Sequence, residues 1–253
     1  LTAQSPRRRE MISIIDWRMS QCAKHDVTFH FNTWADADTI KAENPDVVII
    51  ATGGLPHTEV LSSGNEHVVS AWDIISGDVK PGSNVLVFDD AGDHAALQAA
   101  EFLAASGAKV EIMTPDRSFS PEVMAMNLVP YMRSLQKEDV TFTVTYRIRS
   151  VAKEGNMLNV AVGSDYGGVD KQRIVDQVVV NHGTRPLDEL YFDLKPDSVN
   201  LGEMSHDQLI AGEPQSVVRN PEGAFQLFRI GDAVAARNTH AAIYDGLRIA
   251  KDI

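Results

Sequence analysis

Hydrophobic positions follow a helical period at the start of the chain. Residues 6–24, PRRREMISIIDWRMSQCAK, carry Met11, Ile12, Ile14, Ile15, Met19, Cys22 and Ala23 at separations of three, four and seven. That spacing predicts a helix with one apolar face. Pro6 stands where a first-turn proline is tolerated, and Cys22 falls on the packing face. VTFHF (27–31) predicts a strand, and ADADTIKAE (35–43) a short helix. PDVVIIATGG (45–54) is a continuous apolar run closing in a glycine turn, the pattern of a central parallel strand covered on both faces. A short helix over 72–75 precedes GDVKPGS (77–83), whose Gly and Pro mark a crossover between domains. Residues 84–114 predict strand (84–89), helix (about 93–106) and strand (109–114), and a further helix lies near 121–137. Segments 140–152, 157–163 and 173–182 alternate Val, Thr and Ile, which predicts an antiparallel meander. Residues 225–253, FQLFRIGDAVAARNTHAAIYDGLRIAKDI, predict a strand, a Gly-Asp turn and a closing helix. Trp17, Trp34 and Trp72 are expected in core or interdomain packing.

The unit at 84–114 has the order that grips a dinucleotide, but its turn reads Asp89-Asp90-Ala91-Gly92-Asp93-His94. A pyrophosphate-binding turn uses three glycines: for the sharp bend, for backbone approach to the phosphates, and for close helix–strand packing. Asp89, Ala91 and His94 occupy those places. Asp89 and Asp90 also bring negative charge to an anion site; at about 5 Å and an effective dielectric near 20, each unit pair costs roughly 3 kcal/mol. The strand that follows should end in a carboxylate for the ribose 2′-hydroxyl, yet Thr114 stands there and Asp116 lies beyond a proline. The frame therefore reads as retained and the site as lost. A functional turn would require an anion nest from Gly92 and the amides of 92–94. Asp93 is expected to cap the helix, and nothing near His94 in sequence makes a relay with it.

Composition narrows the function classes. The 253 residues carry a formal net charge of −12, which argues against nucleic-acid and anionic-membrane surfaces and leaves an acidic face for a protein partner. The single cysteine, Cys22, excludes a disulfide framework, a Cys-X-X-Cys pair and an iron–sulfur cluster held by this chain. No apolar run reaches the roughly 20 residues that span a bilayer. LTAQSPRRRE is followed by no hydrophobic region of a signal peptide, so a cytoplasmic location is expected. The histidines His25, His30, His57, His67, His182, His206 and His240 are scattered without metal-ligand spacing, and no Gly-X-Ser-X-Gly elbow occurs. The basic run PRRRE (6–10) reads as a solvated helix start.

Three motifs in order, DVVIIATGG (46–54), the strand–turn–helix unit at 84–114, and FRIGDAVAARNTHAAIYDGLRIAKDI (228–253), carry a resemblance. The chain resembles the C-terminal half of the iron–sulfur flavoprotein family that contains trimethylamine dehydrogenase, dimethylamine dehydrogenase, 2,4-dienoyl-CoA reductase and related demethylases. The last motif is similar to the demethylase-like branch. The resemblance implies a longer protein with an FMN-holding TIM barrel and a 4Fe–4S cluster upstream, and a fragment here that also lacks the first strand–GxGxxG–helix of its FAD-like domain. It implies that Ala51, Thr52 and Gly53 lie along the adenosine diphosphate part of FAD or ADP, and that Gly231 and Asp232 contact its ribose, ribityl or pyrophosphate part. It further implies that the helix starting near Thr239, with Ala241 and Ala242 small enough for close approach, aims its N-terminus at the same region. Electrons would pass to an electron-transferring flavoprotein.

The expected fold is α/β: two nested Rossmann-like, FAD/NAD(P)-binding three-layer domains. The outer one is discontinuous (1–78 and 187–253) and incomplete at its N-terminus; the inner one is 79–186 and has the degraded turn. An exposed sheet edge in the outer domain suggests a homo-oligomer. Three functions stay open: the C-terminal region of an oxidative N-demethylase acting on an amine or amino acid of the dimethylglycine or N-methylproline type, the NAD(P)H-accepting half of an enoate reductase, and a non-catalytic nucleotide-binding or docking module.

Overall fold

A computed structural model describes residues 1–168, 170–251 and 253. In chain order the helices are α1 Ser13–Lys24, α2 Ala37–Ala42, α3 Ala71–Ser76, α4 His94–Ala105, α5 Ala125–Lys137, α6 Glu189–Leu194, α7 His206–Ala211 and α8 Thr239–Ile249. The strands are β1 Val47–Ile50, β2 Gly54–Pro56, β3 Val68–Ser70, β4 Asn84–Asp89, β5 Lys109–Met113, β6 Thr141–Thr143, β7 Arg147–Glu154, β8 Met157–Gly163, β9 Asp170–Val175, β10 Gln177–Asn181, β11 Thr184–Pro186 and β12 Gln226–Arg229. The chain divides into two compact units: Leu1–Val27 with Pro56–Gly183, and Thr28–Leu55 with Thr184–Ile253.

The first unit is built on a five-stranded sheet in the order β3-β10-β4-β5-β6, parallel throughout. Alternation along β4 supplies both of its faces. Val85 and Val87 pack into a cluster with Ala96, Leu97, Ala100 and Leu103 of α4 and Tyr131 and Leu135 of α5. Leu86 and Phe88 join Ile148, Val151, Val160 and Val162 of β7 and β8 on the opposite side. A strand buried on both faces needs the uninterrupted apolar run that VLVF supplies. The alanines of α4 let the helix lie close to the sheet. The antiparallel three-stranded sheet β7-β8-β9 thus replaces a helical layer.

The second unit has a two-stranded parallel sheet, β1 beside β12, over a core of Val48, Ile50, Tyr191, Leu194, Phe225, Leu227 and Ala233. The short strands β2 and β11 pair with each other. Gly54 is required there, because a Cβ would meet the Arg185 carbonyl oxygen at 2.5 Å.

Several expectations from the sequence need correction. The meander is narrower than the alternation suggested: β6 and β10, within the predicted segments 140–152 and 173–182, belong to the parallel sheet. Alternation reports two unlike faces, not the direction of the neighbouring strand. Residues 27–31 form no strand, and residues 6–12 form a 3₁₀ segment before α1. No residue of α1 is buried, Cys22 is half-buried, and Trp17 and Trp34 are 61% and 88% exposed rather than packed. A strand needs a neighbouring ladder and an amphipathic helix a surface to cover, and the described residues supply neither to this segment. The crossover at 77–83 lies inside the first unit: Asp176 accepts from the amides of Ser83 and Asn84, and β3 pairs with β10. Residues 1–27 and 56–78, expected in the outer domain, therefore group with 79–183.

A loop at 61–65 is sewn to β7. The Val151 amide donates to the Ser63 carbonyl at 3.1 Å, and the Ser62 hydroxyl donates to the Arg149 carbonyl at 2.5 Å. Gly64 at φ +89° leaves no room for a side chain, since a Cβ would sit 1.9 Å from the Val151 carbonyl oxygen. Gly64→Ala is expected to lower the unfolding free energy by about 2 kcal/mol or more. Gly107→Ala, at φ +90° with nothing within 4 Å of the added carbon, is expected to lose about 1 kcal/mol, the cost of left-handed backbone alone. Urea titration of the two variants checks the difference; equal losses would contradict it.

Candidate functional site

Two places at the carboxyl ends of parallel strands collect the residues singled out above, one in each unit. In the first, β4 ends at Asp89 and the chain turns into α4 through Gly92, at φ +72°. A Cβ on Gly92 would lie 2.7 Å from Pro121 Cδ, so the glycine serves packing beneath the turn. Asp89 is 1% exposed. Its Oδ1 accepts from the Gly92 amide at 3.0 Å and from Asn181 Nδ2 at 2.9 Å, and the Ser120 hydroxyl reaches Oδ2 at 3.5 Å. Asn181 Nδ2 also donates to Asp93 Oδ1 at 2.9 Å, and Asp93 caps α4 by accepting from the Ala95 amide at 2.8 Å. The amides of Asp90 and Ala91 donate to the Asn181 carbonyl at 3.2 and 3.3 Å.

The amides of 90, 91, 92 and 95 thus already have acceptors within the chain, whereas those of Asp93 and His94, two of the three in the expected nest, have none among the described residues. This changes the physical reason for the lost site. Asp89 does not face a ligand as a bare charge. Burial, the largest influence, pushes its carboxyl up to about 7; the charges of Asp93 and Asp90 push the same way, and the Gly92 amide and Asn181 act against them. Part of the obstacle is donors already taken, those of 90, 91, 92 and 95.

Three partners of this turn could not be read from local sequence. His94 Nδ1 lies 3.0 Å from an Arg8 guanidinium nitrogen and 3.4 Å from the Tyr131 hydroxyl. Arginine can only donate, so Nδ1 is an acceptor. Burial first, then the Arg8 charge, lower the imidazole's pKa, with Asp93 opposing. Arg7 and Arg8 both lie 4.7 Å from the Tyr131 ring centre, and Arg7 is ion-paired with Glu101. His182 Nδ1 is 2.8 Å from Asp90 Oδ1. Thr114, where a ribose-binding carboxylate would stand, is buried.

In the second unit, register brings two turns together. β1 and β12 run side by side with Ile50 opposite Arg229, and the Ile230 amide donates to the Ile50 carbonyl at 3.0 Å. Ala51-Thr52-Gly53 and Gly231-Asp232 therefore leave neighbouring strands at the same end. The Thr52 hydroxyl donates to the Leu187 carbonyl, and the Leu187 amide donates to the Gly53 carbonyl at 3.0 Å. Gly53 has φ +73° with open space around it. Gly231 has φ +61°, and a Cβ there would come within 3.3 Å of Ala242 Cβ, so this glycine holds the turn against α8. Asp232 accepts from the Arg237 amide at 3.2 Å, a turn-capping role. Asn238 caps α8 at the Ala241 amide, 2.9 Å, leaving the amides of Thr239 and His240 at the exposed helix start without an intrahelical acceptor.

Asp245, 5% exposed, holds this corner from behind. It accepts from the Gly231 amide at 3.1 Å, from Arg248 at 2.9 Å and from Arg237. Burial works against its charge, but the hydrogen bonds from Arg237, Gly231 and Arg248 outweigh burial and keep its carboxyl below the usual range. An adenosine diphosphate group asks for backbone approach at a glycine, unpaired amides at a helix start and a cation; Thr239, His240 and Arg237 supply the last two types, while Gly231 is buried against α8 with its amide on Asp245. Among the described residues no cluster of three His, Cys, Asp or Glu side chains is placed to hold a metal ion, and no helix is long and apolar enough to cross a membrane.

No protein-family model matches the sequence. Relatives do. The chain is 83% identical over all of its 253 residues to a probable N-methylproline demethylase of Rhizobium meliloti (strain 1021), of which it spans 37%. It is 40% identical to the N,N-dimethylglycine/sarcosine dehydrogenase of Chromohalobacter salexigens, aligned along the whole of this chain and 38% of that protein. Among solved structures, a 2-naphthoyl-CoA reductase in complex with 2-naphthoyl-CoA is 28% identical with a TM-score of 0.78, over 100% of this chain and 34% of that one. The chain belongs to the trimethylamine dehydrogenase/enoate reductase family of flavoprotein oxidoreductases and matches the C-terminal part of its members.

The buried carboxyl of Asp89 gives a measurable signature. Folded Asp89 keeps its proton to about pH 7, whereas an unfolded aspartate loses it near ~3.9. Between those values the folded state binds more protons, so this group's contribution to stability falls as pH rises. Asp89→Asn keeps the shape and the acceptor for Gly92 and Asn181, and its amide can donate to Ser120. Urea unfolding at pH 5 and pH 8 is expected to show the wild type losing stability relative to Asp89→Asn across that interval. A parallel pH dependence in both proteins would count against a buried, proton-holding Asp89.

Proposed function

We propose that this chain is the nucleotide-binding region of a flavin-dependent oxidoreductase that removes N-methyl groups oxidatively from a methylated amine or N-methyl amino acid of the N-methylproline or dimethylglycine kind. The names of the relatives at 83% and 40% identity support the reaction class. The observation that carries the choice within the family is the turn at 89–95, where the amides of 90, 91, 92 and 95 are bound to Asp89, Asp93 and Asn181. A unit with such a turn is a scaffold and not a port of entry for NADH.

In this reading the two units are nested Rossmann-like domains. The outer one holds FAD or ADP along Ala51, Thr52, Gly53, Gly231, Asp232, Thr239 and Ala241. FMN and a 4Fe–4S cluster reside in other parts of the protein and supply the redox chemistry, and electrons leave to an electron-transferring flavoprotein. The protein works as a cytoplasmic homo-oligomer.

The likeness to 2-naphthoyl-CoA reductase favours a second reading, an NAD(P)H-dependent enoate reductase. Anaerobic titration of the full-length flavoprotein separates the two. Bleaching of the flavin by N-methylproline or dimethylglycine, with none by micromolar NADH, is the expected outcome. Rapid bleaching by NADH would establish the reductase reading instead.

A further inference from the structure

We infer that the amino-terminal segment is a proton-sensitive latch on the first unit: neutral His94 holds Arg8, and with it residues 1–8, against α4 and α5, and a proton on His94 releases them. The run PRRRE does more than start a helix in solvent. Arg7 is ion-paired with Glu101 of α4 at 2.6 Å. Arg7 and Arg8 both lie 4.7 Å from the centre of the Tyr131 ring on α5. Gln98 of α4 is buried beneath the segment, and its Nε2 donates to the carbonyls of Leu1 and Thr2 at 3.3 Å each. Ser5 is buried as well. The ion pair, the ring contacts and the amide contacts keep their chemistry between pH 8 and pH 5. The contact of Arg8 with His94 Nδ1, at 3.0 Å, does not.

Arginine only donates, so this contact requires the lone pair of Nδ1. Protonation puts a hydrogen there, sets donor against donor and faces one cation with another. His94 is also the first residue of α4, where the helix dipole opposes positive charge. The charged and titratable groups around the imidazole come from several elements. Asp93, the cap of α4, favours the proton, but its Oδ1 already accepts from Ala95 and Asn181. Glu101 of the same helix is taken by Arg7. From α5, the Tyr131 hydroxyl lies 3.4 Å from Nδ1; burial, the largest influence, pushes its pKa up to about 12, so it stays neutral. At the end of β4, Asp89 is turned to Gly92 and Asn181. Asp73 of α3 and Glu111 of β5 are held by the Ser70 amide and by Arg173. Burial and then Arg8 lower the imidazole's pKa against the pull of Asp93. The closed latch therefore binds fewer protons than the open one. It is complete at neutral pH and weakens as pH falls below about 6.5, the value of a free histidine.

The test is hydrogen–deuterium exchange of the full-length protein at pH 8 and pH 5, with intrinsic exchange rates divided out. It is read on the amides of Gln4, Ser5 and Arg8, which donate to the carbonyls of Leu1, Thr2 and Ser5. The wild type is expected to lose about tenfold in protection at pH 5, the worth of one hydrogen bond to a charged group. His94→Gln, whose side-chain oxygen accepts from Arg8 at either pH, is expected to lose none. Arg8→Gln is expected to show the low level at both pH values. Unchanged protection in the wild type overturns the latch, as does an equal fall in wild type and His94→Gln. Arg8→Gln behaving as the wild type overturns it too. A fall shared by the amides of β8 would be a general loosening of the unit and would also overturn it.

Discussion

The structure of the larger unit depends on how one buried carboxyl is satisfied. Asp89 ends the central strand of the sheet, and a polar group with almost no exposure must find partners inside the protein. It finds them in the Gly92 amide and in Asn181 on the adjacent strand β10. Asn181 in turn fixes Asp93, the cap of α4, and takes the amides of Asp90 and Ala91 on its carbonyl. One side chain and one carbonyl thereby lock the strand–turn–helix junction to its neighbour. In a dinucleotide-binding protein the same donors are left open and a phosphate closes the network. Here the protein closes it with its own groups.

That exchange separates fold from function. The parallel sheet, the alanine-rich helix against it and the position of the turn are all kept, because they are demanded by the core on both faces of β4. The ligand is not demanded by the core, and the turn can lose it once internal acceptors replace it. The second unit shows the contrary arrangement. Its two turns leave neighbouring strand ends, a helix start carries uncapped amides, and Asp245, the one strongly buried carboxylate among the described residues of the unit, is bound to the glycine's amide. Two units with related outlines thus differ in which polar groups remain available.

Much of this was legible in the sequence. The strand–turn–helix–strand at 84–114, the absent glycines, the capping role of Asp93, the ATGG and Gly-Asp turns and the terminal helix all depend on spacing within a few residues. What escaped depends on distance along the chain. Asn181 is 92 residues from Asp89, and Arg8 is 86 from His94, so no local pattern announces either. The alternation at 140–182 identified strands with unlike faces but not which of them would join the parallel sheet. The apolar periodicity at 6–24 and the β-rich pentapeptide at 27–31 predicted buried elements, yet their hydrophobic side chains stand largely exposed. A pattern states what a segment could cover, and only the fold states what is there to be covered.

The central claim is that the 89–95 turn is occupied by the protein's own carboxylates, and ligand-soaked crystallography addresses it most directly. In a crystal of the full-length protein soaked in NAD, the account predicts an unchanged turn, with Gly92 still donating to Asp89 and Ala95 to Asp93, and no diphosphate beside them. A diphosphate hydrogen-bonded to the amides of residues 92–95 would contradict it.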